Sequence, residues 1–347
     1  MKKLYAFLLI SMAIIATCAT IFILQFMKEV PYLSVTIYDP TRACNGTTLI
    51  PDNNPDRPRI IEVDMEGNII WEYILPDDLK NYTNPGFDVE YLPNTDHILF
   101  VCPLKGIYEI DRNGTLVWSY NDCKISHDAD RLPNGNTLFV WGGCDEMSDA
   151  QVREVNKSGF VVWSWHAKDY YNISPYHTIS CQGWTHTNAV TRLSNNLTLI
   201  SLRNFNFLVL VNETGDVIKE IGKNVIYYPH DPEVLKNGNI LVASQRTLIS
   251  CDPMIPNTSM EYTPVLEINS STDAIVWEYN ATDWYDIQLT RDCNRLPNNN
   301  TLIVGTTKII EVIPSGEIVW QLELNTKINQ GESASRGFYK AERIASC

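Results

Sequence analysis

Short apolar runs alternate with turn residues along most of the chain, and their arrangement repeats. One copy contains four strand-like segments, at 127–132, 137–141, 152–155 and 160–163. An Asn-Gly turn separates the first two segments, and a Ser-Gly turn separates the last two. Segments this short, bounded by turn residues, are typical of antiparallel strands. The copy therefore predicts a small four-stranded sheet.

This four-strand unit occurs five times in continuous form and once in two pieces. The continuous copies begin at Phe87, His127, Asn188, His230 and Arg291. In the split copy, Tyr339–Ile344 fits the first strand, and runs beginning at Gly46, Ile60 and Gly67 supply the other three. A strand donated by one terminus closes the ring and removes exposed sheet edges. We therefore predict an all-β fold, a six-bladed β-propeller with terminal-strand closure.

The first residues follow a different pattern. Two lysines precede an uncharged apolar run from Leu4 to about Met27, which is long enough to cross a bilayer. We expect an N-terminal transmembrane helix, with a cleaved signal segment as the alternative. The lysines place the N-terminus inside and the propeller on the extracytoplasmic side of the cell membrane. The predicted division is an anchor or signal segment at 1–28, a linker at 29–45 and the propeller at 46–347.

Composition supports the extracytoplasmic location. A net charge of −14 argues against a nucleic-acid partner. Glycosylation sequons begin at Asn45, Asn81, Asn113, Asn156, Asn172, Asn196, Asn212, Asn257, Asn269, Asn280 and Asn299. Eight cysteines outside the apolar run form an even set suited to disulfides, and no cysteine or histidine spacing is typical of zinc. We expect a disulfide-bonded glycoprotein with no metal or cofactor.

The split blade suggests one disulfide in particular. Cys44 and Cys347 both fall in the gap where an ordinary blade has its first hairpin turn, so a bridge there would restore the missing connection. Two further pairs lie in loops that we expect at one face of the propeller. They are Cys123 with Cys144 and Cys181 with Cys251.

The start of each blade's first strand contains the candidate chemistry. First strands line the central channel, and the residues at this position around the ring are Tyr339, Phe87, His127, Asn188, His230 and Arg291. The residue at this position is apolar in some blades and Asn or His in others, so the packing of the repeat does not determine which residue type occurs there. His186 lies just upstream of one first strand, and Arg203 and Arg246 follow second strands that end at the same mouth.

Each of these residues has a structural alternative. One strand-start histidine is commonly a structural group, but three that converge with Asn and Arg favour a functional site. Two long insertions, 166–183 and 250–264, lie at the same mouth, where function is usually found. We interpret the next position, Asp88, Asp128, Asp231 and Asp292, as structural hydrogen-bond acceptors. We interpret the recurring Trp71, Trp118, Trp163, Trp277 and Trp320 as packing between blades.

The repeat, with Arg-Leu-Pro-Asn-Gly-Asn-Thr-Leu and Val-Val-Trp, resembles the arylsulfate sulfotransferases from Gly46 to Ile344. These six-bladed propellers transfer sulfuryl groups between phenols without a nucleotide donor. Their site contains, in chain order, a His, a His-x-Asn pair, an Arg and a His that becomes sulfurylated. The residues that match this order are His127, His186 with Asn188, Arg203 and His230. We expect this chain to lack the separate N-terminal β-domain that is associated with bacterial members.

The resemblance implies transfer of a sulfuryl group from an aryl sulfate to a phenolic acceptor. Arg203 and Asn188 would stabilise charge on the sulfuryl oxygens, and His230 would be the nucleophile. Either His127 or His186 would be the general acid and base, and the order of residues does not choose between them. Phe87 and Tyr339 would contact the aryl ring, and Arg291 and Arg246 would add substrate contacts.

Two other functions fit the same mouth. A non-catalytic propeller could bind an anionic ligand or a protein partner with its His and Arg side chains. A quinone-dependent dehydrogenase would also have periodic tryptophans, but the six blades and the absence of an evident calcium-ligand cluster argue against it.

Overall fold

The computed structural model describes residues 32–346, except 55, 85, 143, 245–263, 281–289 and 326–336. Nearly all of the regular structure is strand, as the alternating pattern predicts. The only helical segments in these ranges are one short helix, α1 (Lys168–Tyr171), and two 3-10 turns, Tyr176–Thr178 and Arg203–Phe205.

The strands follow one another in chain order. They are β1 (Leu33–Tyr38), β2 (Gly46–Asp52), β3 (Arg59–Val63), β4 (Ile69–Ile74), β5 (Asp88–Leu92), β6 (His97–Cys102), β7 (Gly106–Ile110), β8 (Leu116–Asn121), β9 (Ile125–Arg131), β10 (Thr137–Trp141), β11 (Val152–Val155), β12 (Val161–Trp165), β13 (Thr187–Arg192), β14 (Thr198–Leu202), β15 (Phe207–Val211), β16 (Val217–Ile221), β17 (His230–Val234), β18 (Ile240–Ala243), β19 (Val265–Ile268), β20 (Ile275–Tyr279), β21 (Asp292–Arg295), β22 (Thr301–Val304), β23 (Lys308–Val312), β24 (Ile318–Leu324) and β25 (Glu342–Ala345).

The strands described above form six antiparallel sheets, which confirms the six-bladed propeller. Blade 1 has the order β25-β2-β3-β4, and blades 2 to 5 each take four consecutive strands from β5 to β20. Blade 6 contains β21 to β24. In blade 1, Thr47 pairs with Ile344, so the last strand of the chain completes the blade begun by β2. The predicted terminal-strand closure is therefore confirmed.

Strand β1 adds a fifth strand to blade 6. It pairs antiparallel with β24, from Leu33 opposite Leu324 to Tyr38 opposite Trp320. This strand lies within the segment, 29–45, that the sequence analysis treats as a linker. The predicted transmembrane helix at 1–28 lies outside the described residues. Among the helices of the described ranges, none is long and apolar enough to cross a membrane.

The core lies between neighbouring blades, and the recurring tryptophans join them. Each indole Nε1–H donates to a backbone carbonyl in the third-to-fourth-strand turn of the next blade. The pairs are Trp71 with Arg112 (2.8 Å), Trp118 with Lys157 (2.9 Å), Trp163 with Glu213 (3.0 Å), Trp277 with Pro314 (2.8 Å) and Trp320 with Met65 (2.8 Å). The interpretation of these residues as packing between blades is therefore confirmed.

A set of acidic side chains and one lysine surrounds the channel one residue further along each first strand. We call Lys340, Asp88, Asp128, Asp231 and Asp292 the carboxylate ring. Lys340 Nζ lies 3.1 Å from Asp88, 2.7 Å from Asp128 and 2.9 Å from Asp231, measured to Oδ1 of each. The lysine of blade 1 thus binds carboxylates from blades 2, 3 and 5.

The carboxylates also accept backbone hydrogen bonds from the neighbouring blade. The donors are Ala129 N–H to Asp88 (3.2 Å), Val190 N–H to Asp128 (2.6 Å) and Ala341 N–H to Asp292 (2.8 Å). This confirms the structural role predicted for these residues. The ring lines a polar cavity of about 210 Å³ together with Glu90, Asp130 and Glu342.

The cysteines differ in part from the sequence prediction. Cys44 and Cys181 are disulfide-bonded, and the partners predicted for them, Cys347 and Cys251, lie outside the described residues. The predicted pair of Cys123 and Cys144 is wrong, because both are free and exposed. The two loops are joined instead by the Gly142 N–H, which donates to the Lys124 carbonyl at 2.5 Å. Contact between the loops through the backbone does not require the thiols to face each other.

Candidate active site

Local irregularities direct three polar side chains towards the mouth of the channel. The pairing of first with second strands shifts register at or beside His127 in blade 3, Asn188 in blade 4 and His230 in blade 5. Such β-bulges change the direction of a side chain, and they are common beside active sites. His127 also has a positive φ of 57°, and His186 one of 47°. Positive φ is uncommon outside glycine, so the surrounding structure must hold these residues in place.

The rings of His127 and His186 lie together at the mouth. Their centroids are 5.1 Å apart, and the rings are nearly perpendicular. The Tyr339 ring lies 6.2 Å from His127. Gly86 permits this arrangement, because a Cβ at that position would lie 2.6 Å from His127 Cα. Both histidines are almost fully buried.

Two of the histidines have a defined tautomer. His186 Nδ1 lies 2.7 Å from the Gln182 carbonyl oxygen, and His230 Nδ1 lies 2.7 Å from the Tyr228 carbonyl oxygen. A carbonyl oxygen can only accept, so Nδ1 carries the proton in both rings. In the neutral form, Nε2 of each ring therefore has a free lone pair.

Burial keeps all three histidines neutral. It lowers the pKa of His186 to about 3, and the nearby Arg203 guanidinium lowers it further. Burial also lowers the pKa of His127 and His230 well below the usual range. The next largest cause is the repulsion by His186 for His127 and by Arg203 for His230. A neutral imidazole is the form that can act as a nucleophile or accept a proton.

Two arginines supply positive charge at this mouth. Arg203 follows β14 as predicted and lies close enough to lower the pKa of all three histidines. Arg291 lies at the start of β21, is 8% exposed, and its guanidinium carbon is 5.2 Å from the centroid of the Tyr339 ring. Within the described ranges, neither guanidinium forms a salt bridge with a carboxylate. Buried cations without a carboxylate partner are suited to binding an anion.

Two further polar groups are buried without a hydrogen-bond partner among the described residues. Both the amide oxygen and the amide nitrogen of Asn188 are in this state, and so is Nδ1 of His127. Buried polar groups are normally paired, and exceptions concentrate at functional sites. These atoms add hydrogen-bonding capacity beside the histidines and arginines.

Asp145 holds the segment that carries His186, and the sequence analysis missed it. Its carboxylate accepts from the Thr185 and His186 backbone N–H groups at 3.1 and 2.9 Å, and from Gln151 Nε2 at 3.0 Å. One feature of the sequence did point to Asp145. It lies near the start of the loop between the second and third strands of its blade, at the mouth where the histidines were expected.

Some predicted site residues lie elsewhere. Phe87 is completely buried, and its ring packs edge-on against Phe100, with centroids 6.5 Å apart. Its described contacts are therefore in the core between blades 1 and 2, and its contact with an aryl substrate stays a prediction. Strand β5 pairs with β6 without a register shift, so no bulge turns Phe87 towards the mouth. Arg246 and most of the insertion at 250–264 lie outside the described residues.

Aromatic side chains of the insertion at 166–183 pack against blade 4. Tyr176 contacts Phe205 and Phe207, with ring centroids 4.8 and 5.7 Å away, and its carbonyl accepts from Trp184 Nε1 at 2.9 Å. The loop therefore supports the His186 segment. Among the residues that the structure describes, no group of three or more His, Cys, Asp or Glu could hold a metal ion.

Comparison with solved structures gives similar folds at low identity. A protein of unknown function from Bacteroides caccae matches with a TM-score of 0.56 and 18% identity, over 86% of this chain and 98% of that one. A catalytically inactive virginiamycin B lyase from Staphylococcus aureus matches with a TM-score of 0.48 and 13% identity, over 85% and 89% of the two chains. At these identities the similarity concerns the fold alone. No curated protein matches the chain.

Comparison with protein families gives a more specific result. The arylsulfotransferase (ASST) family matches residues 37–224, which is more than half of the 347 residues. The match covers the blades that contain His127, His186, Asn188 and Arg203, and it ends just before His230. This chain therefore belongs to the arylsulfotransferase family.

Proposed function

We propose that this protein is a sulfotransferase that moves a sulfuryl group from an aryl sulfate to a phenolic acceptor through a sulfohistidine at His230. Membership of the arylsulfotransferase family supports an enzyme of this class. The observation that carries the proposal is the neutral, buried His230, whose Nε2 lone pair is free beside two arginines that have no carboxylate partner among the described residues.

In the first half-reaction, the His230 Nε2 lone pair attacks the sulfur of the aryl sulfate. The bond between sulfur and the aryl oxygen breaks, and its electron pair leaves on that oxygen. A proton from His127 or His186 converts the phenolate into the departing phenol. The product is a sulfuryl group held on Nε2 of His230.

In the second half-reaction, an acceptor phenol gives its proton to the same histidine. The phenol oxygen attacks sulfur, the N–S bond breaks, and its electron pair returns to His230 Nε2. Because one proton is donated and one is recovered, the full cycle needs no other reactant. Burial lowers the pKa of His186 most, and the Arg203 charge lowers it further. An anionic sulfate ester beside Arg203 would offset the effect of that charge, so the histidine that acts as the acid would take up its proton from water as the donor binds.

Charge on the sulfuryl oxygens would be stabilised by Arg203, Arg291 and Asn188. A loose transition state spreads negative charge over these oxygens, so fixed cationic and N–H donors stabilise it more than the ground state. The Asn188 amide, which has no partner among the described residues, and the two guanidiniums supply such donors. Tyr339, next to His127 and Arg291, would contact the aryl ring.

We also propose that the propeller lies on the extracytoplasmic side of a membrane, held there by the segment at 1–28. The disulfide-bonded state of Cys44 and Cys181 supports an oxidising compartment. Glycosylation is part of the same proposal, and Asn81 and Asn196, for example, are exposed.

The proposal is tested by trapping the intermediate. The purified protein is mixed with a chromogenic aryl sulfate and no acceptor, quenched in base and digested for mass spectrometry. We expect a sulfonate mass on the peptide containing His230, labile to acid and lost when a phenol is added before quenching. The His230→Asn variant is the matched control and acquires no label.

The label's position separates the possible outcomes. A label on His127 or His186 would overturn the assignment of the nucleophile. If no label and no phenol release were detected, but the aryl sulfate still bound, the protein would instead be an anion-binding propeller.

A further inference from the structure

Tyr228 has an unusual backbone conformation two residues before His230, in the connection between β16 and β17. Its φ is +44°, and it is 3% exposed. A bulky aromatic residue rarely adopts this left-handed region. The turn is therefore held by its surroundings, and its contacts indicate why.

The backbone of Tyr228 determines the tautomer of His230. Its carbonyl oxygen lies 2.7 Å from His230 Nδ1 and must accept the proton that this nitrogen carries. That bond leaves Nε2 unprotonated and fixes the plane of the ring.

The side chain of Tyr228 supports Arg203. The guanidinium carbon of Arg203 lies 4.7 Å from the centroid of the Tyr228 ring, within the range of a cation–π interaction. Arg203 Nη1 also donates to the Asn204 side chain at 3.1 Å. Within the described ranges no carboxylate pairs with Arg203, so the Tyr228 ring is a principal contact that orients it.

Another arginine offers a useful contrast. Arg112 lies 5.2 Å from the Tyr91 ring, but Glu62 and Asp96 also bind it at 2.5 and 2.9 Å. Its position therefore does not depend on the tyrosine. Arg203 has no such carboxylates among the described residues and depends on the aromatic ring.

The turns that carry the two groups are also joined through the backbone. The Tyr228 N–H donates to Asn206 Oδ1 at 2.9 Å, and Asn206 follows the 3-10 turn that begins at Arg203. Ser201 Oγ donates to the Pro229 carbonyl at 2.9 Å. Blade 4 therefore holds the His230 turn of blade 5 on both sides of Tyr228.

We infer that Tyr228 is a positioning residue that sets the orientation of His230 and of Arg203 together, so that the nucleophile and the anion-binding group approach the same sulfur. Its catalytic consequence depends on the proposed sulfotransferase function. The effect of Tyr228 on the orientation of His230 and Arg203 does not depend on that function.

The kinetic test uses three variants of the full protein. Tyr228→Asn removes the ring but tolerates the left-handed backbone, Tyr228→Phe keeps the ring, and Tyr91→Asn is the matched control. We expect Tyr228→Asn to raise KM for the aryl sulfate about tenfold, the size of a buried cation–π contact, while the other two stay near wild type. Combining Tyr228→Asn with Arg203→Lys should cost less than the product of the single effects.

Two binding measurements test the same inference without catalysis. Titration with inorganic sulfate should show about tenfold weaker binding for Tyr228→Asn alone. In 15N-histidine spectra, with His230→Asn used for assignment, the His230 Nε2 signal should be that of an unprotonated nitrogen.

The outcomes separate this inference from the proposed function. If no variant reacts with aryl sulfates but Tyr228→Asn still weakens sulfate binding, the proposed function fails and the inference stands. Equal sulfate affinity in all variants, no sulfate binding in any, multiplicative effects with Arg203→Lys, or a protonated His230 Nε2 would overturn the inference.

Discussion

Two sets of residues lie one position apart on the first strands, and they differ in whether their charged and polar groups have partners within the protein. The upper set, which includes His127, His230 and Arg291, has cations and neutral imidazoles without carboxylate partners in the described structure. The carboxylate ring below it is saturated with contacts, and Lys340 alone binds three aspartates. Successive strand residues normally point to opposite faces. The bulges and positive φ values allow both sets to face the channel.

The comparison indicates a division between chemistry and stability. Groups left without partners in the folded protein can interact with a ligand, whereas groups that bind one another across blades hold the ring closed. A change in the upper set should therefore affect activity, and a change in the carboxylate ring should affect folding.

The largest expected effect is on activity. Replacing His230 by Asn should lower turnover of an aryl sulfate about 10⁴-fold or more, because no neighbouring group replaces the nucleophile. The free energy of unfolding should change by less than about 1 kcal/mol, measured by urea denaturation. A variant that loses stability and activity together would contradict the division.

The second effect is on stability. Replacing Lys340 by Met leaves Asp88, Asp128 and Asp231 without their shared cation and should lower the free energy of unfolding by about 3–5 kcal/mol. Lys80→Met is the control, because Lys80 pairs with Asp77 at the surface and should contribute at most about 1 kcal/mol. Similar losses for both variants would show that the carboxylate ring is not a special determinant of stability.

Buried groups beside the two sets should also respond to pH in opposite ways. Burial raises the pKa of Asp130 to about 6, so its contribution to stability is complete below the unfolded value and is lost as pH rises through 6. Burial lowers the pKa of His186 to about 3, so its contribution is complete above 6.5 and is lost as pH falls.

Unfolding at pH 4.5 and 6.5 tests this opposition. Relative to wild type, Asp130→Asn should lose stability more steeply on acidification, and His186→Asn less steeply. Each difference should be on the order of 2 kcal/mol. Parallel pH dependence in all three proteins would contradict the assigned protonation states.

The smallest expected effect concerns Arg203. Replacing it by Lys keeps the charge but removes the planar two-pronged contact, so kcat/KM for the aryl sulfate should fall about tenfold without loss of stability. Arg42→Lys, at a surface pair with Glu317, is the control and should leave kcat/KM unchanged. Wild-type kinetics for Arg203→Lys would place the guanidinium outside the reacting geometry.

The sequence was sufficient to predict the blades because their signals are local. Turn residues, apolar alternation and the Trp positions recur in each unit, and the pairing of Thr47 with Ile344 follows from the split copy. The repeat position and the direction of the strands correctly grouped His127, His186 and Arg203 at one mouth.

The direction of individual side chains was harder to predict. Phe87 occupies the same repeat position as His127, yet its strand has no register shift and its ring stays in the core. Bulges and left-handed residues depend on contacts between blades, and the repeat pattern does not encode them. The importance of Asp145 and Tyr228 was missed for the same reason, since they act through hydrogen bonds and a ring contact with residues distant in sequence.

The closing strand has a consequence for synthesis on the ribosome. Tyr339 belongs to the upper set and Lys340 to the carboxylate ring. Both residues lie just before β25, so they are translated after the strands of blades 2 to 6. Until they emerge, β2 lacks one of its two partner strands, β25, and the aspartates lack their shared cation. A nascent chain with five finished blades therefore has neither a complete site nor a closed ring, so activity and closure should appear together only after residues 339–345 have emerged.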